Sequence, residues 1–278
     1  MTCRRALQRA LIASALVTVV ATAGAQTPAP AAPAQSHDVA ELARKTQNPI
    51  SDLVSLPFQF NFNSGGAFAE STGLNLNFQP VIPFSVSAHW NAIARVIVPI
   101  NSLPTGPGTR QSGFGDTQGQ LFFSPKTTGS FIWGAGPMMS MPTATMSAVE
   151  TGSWTLGPGA VVVQMTGPWV LGGLFQQFWT FADSGDARDV NLFVFQPFIN
   201  YNFGKGWALA FAPIVTADWN ADGDEWTVPA GLGITRTTVF SGRPMNIGVQ
   251  YYYNVTKPDS AAGNTLRFVI ALLYPSKK

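Results

Sequence analysis

Apolar and polar residues alternate along much of the chain. In LNLNFQPVIPF, residues 74 to 84, every even position holds a large apolar residue or proline, whereas Asn75, Asn77 and Gln79 occupy the first odd positions. Successive side chains of a strand point to opposite faces of a sheet, so this spacing predicts a strand with one apolar and one polar face. The same alternation recurs in segments bounded by Gly, Pro, Asn and Asp.

Twelve segments of this kind follow from Leu53 onward. They cover approximately residues 53–63, 73–87, 89–101, 114–126, 130–142, 152–166, 168–182, 189–203, 206–219, 225–240, 243–256 and 264–275. A strand that crosses a bilayer needs about 9–11 residues, and bacterial membrane barrels have an even number of strands. The segments therefore predict a closed barrel, although a soluble sandwich would place the same apolar rows in a core between two sheets.

The polar face of these strands carries mainly carboxamides. In a barrel this face lines the lumen and the apolar face contacts lipid. The expected pore-lining residues are Gln59, Asn61, Asn63, Asn75, Asn77, Gln79, Arg95, Gln118, Gln120, Gln250, Asn254 and Arg267. The lumen is therefore expected to be wet but weakly charged. Arg95 and Arg267 are expected either to bias ion selectivity or to pair with carboxylates of the inner wall or rim.

The positions of tryptophan and tyrosine favour the barrel over the sandwich. Trp207 and Trp219 lie on one face of WALAFAPIVTADW, at the two ends of an apolar band. Membrane barrels carry aromatic girdles at both lipid headgroup regions, whereas nothing in a sandwich core requires this arrangement. The expected girdle residues are Trp90, Trp207, Trp219, Tyr251, Tyr253 and Tyr274.

The composition also agrees with a barrel. Charged residues make up 11% of the chain, less than half of the roughly 25% found in soluble proteins, and aromatic residues make up 12%. Beyond the N-terminal segment, no apolar run approaches the ~20 residues of a membrane-spanning helix. A barrel strand exposes only half of its residues to lipid, so it never produces such a run. The predicted fold class is all-β, an antiparallel transmembrane β-barrel of about 12 strands with a short N-terminal helix.

The N-terminus has the pattern of a secretory signal peptide. Arg4, Arg5 and Arg9 precede an apolar run, which ends in small residues before a cleavage site expected after Ala25. A membrane-spanning anchor is the alternative, but the apolar run is too short for it. Export by a cleaved signal peptide, residues 1–25, is therefore expected.

Three further regions follow the signal peptide. Residues 26–36 form a Pro/Ala linker, residues 37–52 a short helical head segment, and residues 53–278 the transmembrane barrel. Twelve strands enclose a wider lumen than side chains alone can fill, and residues as small as Ala208 and Gly231 face it. The head segment is therefore expected to enter or cross the periplasmic mouth, with Arg44 and Lys45 meeting lumen amides or carboxylates. A loose periplasmic tail is the alternative.

Catalytic and metal-binding patterns are weak. The only cysteine, Cys3, lies in the signal peptide, and the histidines are His37 and His89. His89 could act as the base of a lipid-modifying barrel enzyme, but the sequence marks out no partner serine and orienting carboxylate. The acidic TADWNADGDEW does not have the spacing of a calcium-binding loop. We expect no enzyme activity, no catalytic residues, no bound metal and no cofactor.

Several segments resemble one family of barrels. LARKTQNPISDLVSLPFQFNFN, LNLNFQPVIPFSVSAHWNAIARVIVPI, GFGDTQGQLFFSPK, FIWGAGP, GPWVLGGLFQQFWTFADSG and FQPFINYNFGKGWAL are similar to the outer-membrane proteins grouped as the meta-pathway phenol-degradation family. The resemblance covers nearly all of the chain after the signal peptide. It implies a transporter-like β-barrel of the Gram-negative outer membrane with a link to the uptake of aromatic compounds. Outer-membrane proteins commonly end on an aromatic residue, but Pro-Ser-Lys-Lys follows Tyr274 here.

Two functional hypotheses remain. The first is an outer-membrane channel or facilitator for small, weakly polar solutes, with aromatic solutes among the candidates. The second is a closed structural or lipid-modifying barrel. In either case the expected partners are outer-membrane lipids and lipopolysaccharide, the barrel-assembly machinery during biogenesis and, for the channel, a small-molecule solute. The charge pattern gives no indication of nucleic-acid binding.

Overall fold

The computed structural model describes residues 36–68, 71–127, 129–183, 185 and 187–274. The predicted signal peptide and nearly all of the Pro/Ala linker lie outside these residues. The helix α1 (Ser36–Thr46) agrees with the predicted head helix. No helix in this part of the chain is long and apolar enough to cross a bilayer.

Fifteen strand segments follow the helix. They are β1 (Val54–Ser64), β2 (Gly73–Phe78), β3 (Val81–Ser85), β4 (Trp90–Gly106), β5 (Thr109–Phe114), β6 (Thr117–Pro125), β7 (Phe131–Met141), β8 (Ser153–Thr166), β9 (Trp169–Asp183), β10 (Asn191–Gly204), β11 (Trp207–Phe211), β12 (Val215–Asp218), β13 (Trp226–Phe240), β14 (Arg243–Thr256) and β15 (Asn264–Tyr274).

The wall is a closed antiparallel barrel of twelve strands, as predicted. Three wall strands are interrupted and consist of two segments each, namely β2 with β3, β5 with β6, and β11 with β12. Each strand pairs with its sequence neighbours, and the pairing of β1 with β15 closes the barrel. The predicted strand boundaries differ from the structure by one to three residues at most ends, with one larger exception.

The exception is the connection between the third and fourth wall strands. The sequence predicted that the third strand ends near residue 101, but β4 continues to Gly106 and pairs with β5 in a hairpin. The pairing of Leu103 with Gln111 extends this hairpin beyond the wall, and Gly108 adopts a positive φ of 70° in its turn. Pro104, Gly106 and Gly108 are turn-type residues, so this extension carries no strand signal in the sequence.

The two mouths of the barrel differ in the length of their connections. The mouth that holds the start of β1 and the end of β15 has short turns, including the two-residue turns 205–206 and 241–242. In these turns Lys205 and Ser241 have positive φ, which suits tight hairpins. The opposite mouth carries longer loops such as 142–152 and 257–263. Outer-membrane barrels place short turns in the periplasm, so we name the two ends the periplasmic and extracellular mouths accordingly.

The outer surface is apolar and has aromatic residues near both mouths. Large hydrophobic side chains such as Ile82, Phe123, Leu232 and Phe268 are exposed on it. All eight tryptophans follow the outward alternation: Trp90, Trp133, Trp169 and Trp207 toward the periplasmic mouth, and Trp154, Trp179, Trp219 and Trp226 toward the extracellular mouth. Of the remaining expected girdle residues, Tyr274 lies at the periplasmic end, and Tyr251 and Tyr253 lie in the extracellular half.

One side of the lumen is dry, which corrects the expectation of a wet interior throughout. On β6 to β10 many inward positions are apolar, and Phe122, Met138, Val161 and Leu174 are almost fully buried there. Most inward residues of these strands are apolar, so the strands fill the interior as well as facing lipid, with the pair Gln120 and Gln176 as an inward polar exception. The polar part of the lumen lies on the side of β1 to β4 and β10 to β15.

Candidate functional site: a polar lumen closed by the head segment

The polar side of the lumen contains two cavities. The outer cavity, toward the extracellular mouth, has a volume of about 250 Å³. Seven of the expected pore-lining residues line it, together with hydroxyl groups of nearby threonines: Gln59, Asn61, Asn63, Asn75, Asn77, Asn254 and Arg267. The inner cavity, of about 220 Å³, is lined by three more, Gln79, Arg95 and Gln250.

The amides on the wall of the outer cavity form a ladder. The side chain of Asn61 donates to Asn75 Oδ1 over 3.0 Å, and Asn75 donates to Asn101 Oδ1 over 2.8 Å. Asn77 Nδ2 also donates to Asn75 Oδ1 over 2.9 Å. These bonds run across β1, β2 and β4, where the register places the three asparagines side by side. Asn75 uses both of its donors and both of its acceptor sites within the ladder. Within the described part of the chain, Gln59 and Asn77 each keep a free donor and a free acceptor, so the wall can hydrogen-bond a neutral solute there.

Arg267 separates the two cavities. Its Nε donates to Asn61 Oδ1 over 2.9 Å, and its Nη1 donates to the carbonyl oxygen of Ala212 over 3.1 Å and to Gln250 Oε1 over 3.3 Å. Ala212 belongs to the break between β11 and β12, so this side chain reaches from β15 across the polar lumen. The residue is buried, with 6% of its surface exposed.

Tyr252 packs its ring against the guanidinium of Arg267. Its ring centroid lies 4.9 Å from the guanidinium carbon of Arg267, a cation–π distance. Its hydroxyl donates to Gln250 Oε1 and accepts from the backbone N–H of Ala212, each over 3.1 Å. The alternation in Tyr251-Tyr252-Tyr253 placed the middle tyrosine inward, but the sequence did not mark it as a site residue. The signal was present, because an inward tyrosine among amides needs hydrogen-bond partners.

Both lumen arginines bond to amides. Arg95 donates to the side-chain oxygen of Gln79, which is buried in the wall of the inner cavity. Within the described residues, neither Arg95 nor Arg267 forms an ion pair with a carboxylate. The alternative that these arginines merely pair with acidic groups of the wall is therefore wrong for this structure.

The head segment lies inside the periplasmic mouth, which excludes a loose tail for the described part of it. Gln47 and Asn202 exchange two amide hydrogen bonds, each over 3.0 Å, and tie the end of α1 to β10. Ile50 is buried and packs in the apolar core with Val81 and Phe198. Asn48 lines the inner cavity and orients the turn by accepting from the Ile50 N–H over 3.0 Å.

The charged residues of the head segment behave differently from the expectation. Lys45 pairs with Glu41 over 3.5 Å and with Asp52 over 3.1 Å, which are residues of the head segment itself and not of the lumen wall. Partial burial disfavours its ammonium form, but the hydrogen bond and charge of Asp52 outweigh this and raise the pKa of Lys45. Arg44 lines an open vestibule of about 820 Å³ between the head segment and the wall.

The small residues of the lumen wall make room for these elements. Ala208 and Ala210 are fully covered, and α1 packs against β10 and β13 beside them. A Cβ on Gly231 would lie 1.9 Å from the carbonyl oxygen of Tyr251, and one on Gly233 would lie 2.3 Å from Gln250 Cγ. The small residues therefore leave room that the head segment partly fills, and Ala210 still lines the inner cavity. At Gly231 and Gly233 the room is taken by neighbouring wall residues instead.

Two expected pore-lining residues lie away from the cavities. Gln120 is buried and donates to Gln176 Oε1 over 3.0 Å, which links β6 with β9 inside the barrel. Gln118 is half-buried on the same strand and lines neither cavity. The alternation placed both residues inward, but sequence alone could not indicate that this side of the lumen is filled by apolar side chains.

The residues considered for catalysis and metal binding do not form a site. His89 is exposed in the short turn 86–89, and its imidazole forms no hydrogen bond with any described residue. Asp218 in the acidic loop pairs with Arg188, and the described residues contain no cluster of three potential metal ligands. The hypothesis of a lipid-modifying enzyme therefore has no geometric support at His89.

Charge is distributed unequally between the two mouths. The extracellular end carries nine described carboxylates against three cationic residues: Asp116, Glu150, Asp183, Asp189, Asp218, Asp222, Asp224, Glu225 and Asp259 against Arg110, Arg188 and Lys257. The periplasmic end carries six described cationic residues, Arg44, Lys45, Lys126, Lys205, Arg236 and Arg243, against three acidic residues of the head segment, Asp38, Glu41 and Asp52. The lumen between them holds only Arg95 and Arg267 as described charged groups.

Comparison with known proteins supports the fold. No protein-family model and no curated protein sequence matches the chain. Among solved structures, the fold is similar to an outer membrane channel from Pseudomonas putida F1, with a TM-score of 0.61 and 13% identity over 80% of this chain and 94% of that chain. It is also similar to the NanC porin, with a TM-score of 0.50 and 12% identity over 80% of this chain and 100% of that chain.

A third structure is more distant. Outer membrane phospholipase A from Escherichia coli aligns with a TM-score of 0.42 and 11% identity over 81% of this chain and 93% of that chain, which is too low to support an argument about function. At these identities the comparisons establish the fold alone, a β-barrel of the outer-membrane type. Membership in the meta-pathway phenol-degradation family, which the sequence resemblance implies, stays a proposal.

Proposed function

We propose that the protein is an outer-membrane channel for small, uncharged, weakly polar solutes, aromatic solutes among them. The observation that carries the proposal is a buried arginine, Arg267, set in an amide-lined lumen behind an acidic mouth. The amides offer both donors and acceptors to a neutral solute and require no charge on it.

The charge arrangement disfavours ions of both signs. Anions meet the carboxylates of the extracellular mouth, which repel them before they reach the lumen. Cations are attracted to that mouth, but they then meet the charge of Arg267, which is buried and therefore poorly screened by solvent. An inward arginine is a known form of electrostatic barrier to cations in pores. Neutral solutes avoid both penalties, so they are the class that the geometry favours.

Replacing Arg267 with glutamine should raise the permeability of cations relative to anions. The interaction of two unit charges 4 Å apart is about 4 kcal/mol at an effective dielectric constant of 20. Loss of about a third of this amount would change the permeability ratio roughly tenfold. Glutamine preserves a hydrogen-bond donor for Asn61, so the hydrogen-bonded residues around position 267 should still pack together. The reversal potential in planar bilayers under a salt gradient measures the change.

The exterior arginine Arg236 provides the matched control. Arg236→Gln removes the same charge from the outer surface of β13, outside the lumen, and should leave the permeability ratio unchanged. Arg95→Gln should shift the ratio in the same direction as Arg267→Gln. Equal reversal potentials for the wild type, Arg267→Gln and Arg95→Gln would contradict the electrostatic part of the proposal.

A further inference from the structure

The outer surface carries a concave apolar pocket near the periplasmic mouth. The pocket has a volume of about 320 Å³, and its lining is almost entirely apolar: Trp169, Ile199, Tyr201, Leu209, Phe211 and Leu232. These residues come from β9, β10, β11 and β13 and follow the outward alternation of those strands. The pocket therefore opens toward the bilayer and has no connection with the lumen cavities.

An arginine lies directly above the pocket on the same surface. Arg236 follows the outward alternation of β13 and is exposed, and its guanidinium carbon lies 5.0 Å from the ring centroid of Trp207. In the sheet register Arg236 pairs with Trp207, two residues closer to the periplasmic turn than the pair of Ile234 and Leu209. The cation–π contact holds the guanidinium at the rim of the pocket.

The charged, aromatic and apolar side chains around the pocket follow one another with increasing distance from the periplasmic edge, in the same order as the parts of a phospholipid. Arg236 and Trp207 lie nearest the periplasmic edge. The next level holds Tyr201 and Trp169, which pair across β10 and β9 with their rings 4.7 Å apart. The deepest level holds purely apolar side chains, Ile199, Phe211 and Leu232. Leu232 lies four positions from Arg236 on β13, about 13 Å along the strand.

Charge complementarity identifies the occupant. A cation at the edge, amphipathic aromatic rings below it and an apolar pocket below those correspond to the phosphate, the ester region and the acyl chain of a phospholipid. Lys205 in the adjoining turn and Arg243 at the start of β14 add two more cationic groups to the same edge. Among the described residues, the acidic residues at this mouth are Asp38, Glu41 and Asp52, which all belong to the head segment. Glu41 and Asp52 bond to Lys45.

We propose that this pocket is a binding site for an anionic glycerophospholipid of the periplasmic leaflet. One acyl chain fills the apolar pocket, and the guanidinium of Arg236 binds the headgroup phosphate. The proposal is independent of solute conduction, because none of these residues lines the lumen cavities.

Native mass spectrometry of the purified full-length barrel tests the site. The protein is mixed in detergent with a small molar excess of phosphatidylglycerol, and the number of retained lipids is counted. The wild type should retain one lipid beyond the statistical background. Arg236→Gln should weaken retention about fivefold, the effect expected from loss of one cationic contact near the membrane surface. Leu232→Trp, which fills the pocket, should weaken retention without any change in charge.

Lys126→Gln is the matched control. It removes one positive charge from the same mouth but lies in the turn after β6, away from the pocket, so lipid retention should stay at the wild-type level. Heat-modifiable migration on gels checks that every variant is a folded barrel. Equal losses in Arg236→Gln and Lys126→Gln would overturn the site in favour of a general effect of net charge. Unchanged retention in Leu232→Trp, or a wild-type lipid count at the statistical background, would also overturn it.

Discussion

Deletion of residues 26–51, with the signal peptide retained, is expected to increase single-channel conductance several-fold. This deletion removes α1, the Gln47 amide bonded to Asn202, and Ile50 from the apolar core. The inner cavity then loses the residues that close it on the periplasmic side and joins the open vestibule. The wall strands begin at Val54 and pair independently of the head segment, so the barrel should still insert.

A shorter deletion separates the head segment from the linker. Removal of residues 26–35 alone leaves α1 and the following turn in place, and conductance should equal that of the full chain. Conductance is measured in planar bilayers, and heat-modifiable migration verifies the folding of both variants. The role of the head segment in closing the mouth would be refuted by equal conductance of a folded 26–51 deletion and the full chain.

Phe268→Arg is expected to destabilise the barrel by about 2–4 kcal/mol, the cost of an arginine on the lipid face near the bilayer midplane. Phe268 is exposed on the outer surface near the middle of β15 and packs edge-on against Phe62, with ring centroids 5.9 Å apart. The charged side chain cannot reach water from that depth without distorting the bilayer. Urea-dependent folding into lipid vesicles, followed by gel migration, measures the change in stability.

Asn77→Arg is the depth-matched control on the opposite face. Asn77 pairs with Gln59, which pairs with Val269, the residue after Phe268, and Asn77 lines the outer cavity. The cavity gives the added guanidinium room and hydrogen-bonding partners, so this substitution should cost far less than that of Phe268. Gln59 and Gln79 are unsuitable, because Gln59 bonds to the same Asn61 oxygen as Arg267 and Gln79 bonds to Arg95, so an arginine at either position would lie beside a like charge. Equal destabilisation by Phe268→Arg and Asn77→Arg would mean that the faces are assigned incorrectly.

The fold was predictable because period-two alternation determines which face of each strand is apolar. The clearest case is β14, where Tyr251 and Tyr253 face outward and Tyr252 faces inward, as the alternation requires. Turn residues fixed the boundaries of most strands to within a few positions. The β4–β5 hairpin was missed because Pro104 and nearby glycines are turn signals, and pairing outside the wall leaves no apolar pattern to detect.

The lumen was only partly predictable. Alternation indicates that Phe122 and Asn61 both face inward, but it does not indicate that one side of the interior packs as a core while the other encloses cavities. That division depends on which inward side chains meet across the barrel, such as Gln120 with Gln176. The docking of Gln47 on Asn202 likewise joins residues 155 positions apart in sequence, a distance over which no local pattern carries information.

The distribution of charge between the two mouths could not be predicted from the sequence for a related reason. Composition gives a formal net charge of only +2, which conceals an acidic extracellular mouth and a basic periplasmic mouth. Only the closed topology assigns each loop to one end. Once the loops are assigned, Arg267 lies between regions of opposite charge, and the preference for neutral solutes follows from that position.

Solute permeation into proteoliposomes tests the central claim most directly. Vesicles containing the purified full-length chain are mixed with three solutes of similar size, neutral erythritol, anionic threonate and cationic choline, and rates of entry are compared with those of protein-free vesicles. The channel proposal predicts that the protein accelerates erythritol more than either charged solute, and that the 26–51 deletion accelerates it further. Erythritol entry equal to that of protein-free vesicles for both chains, or faster entry of a charged solute, would contradict the proposal.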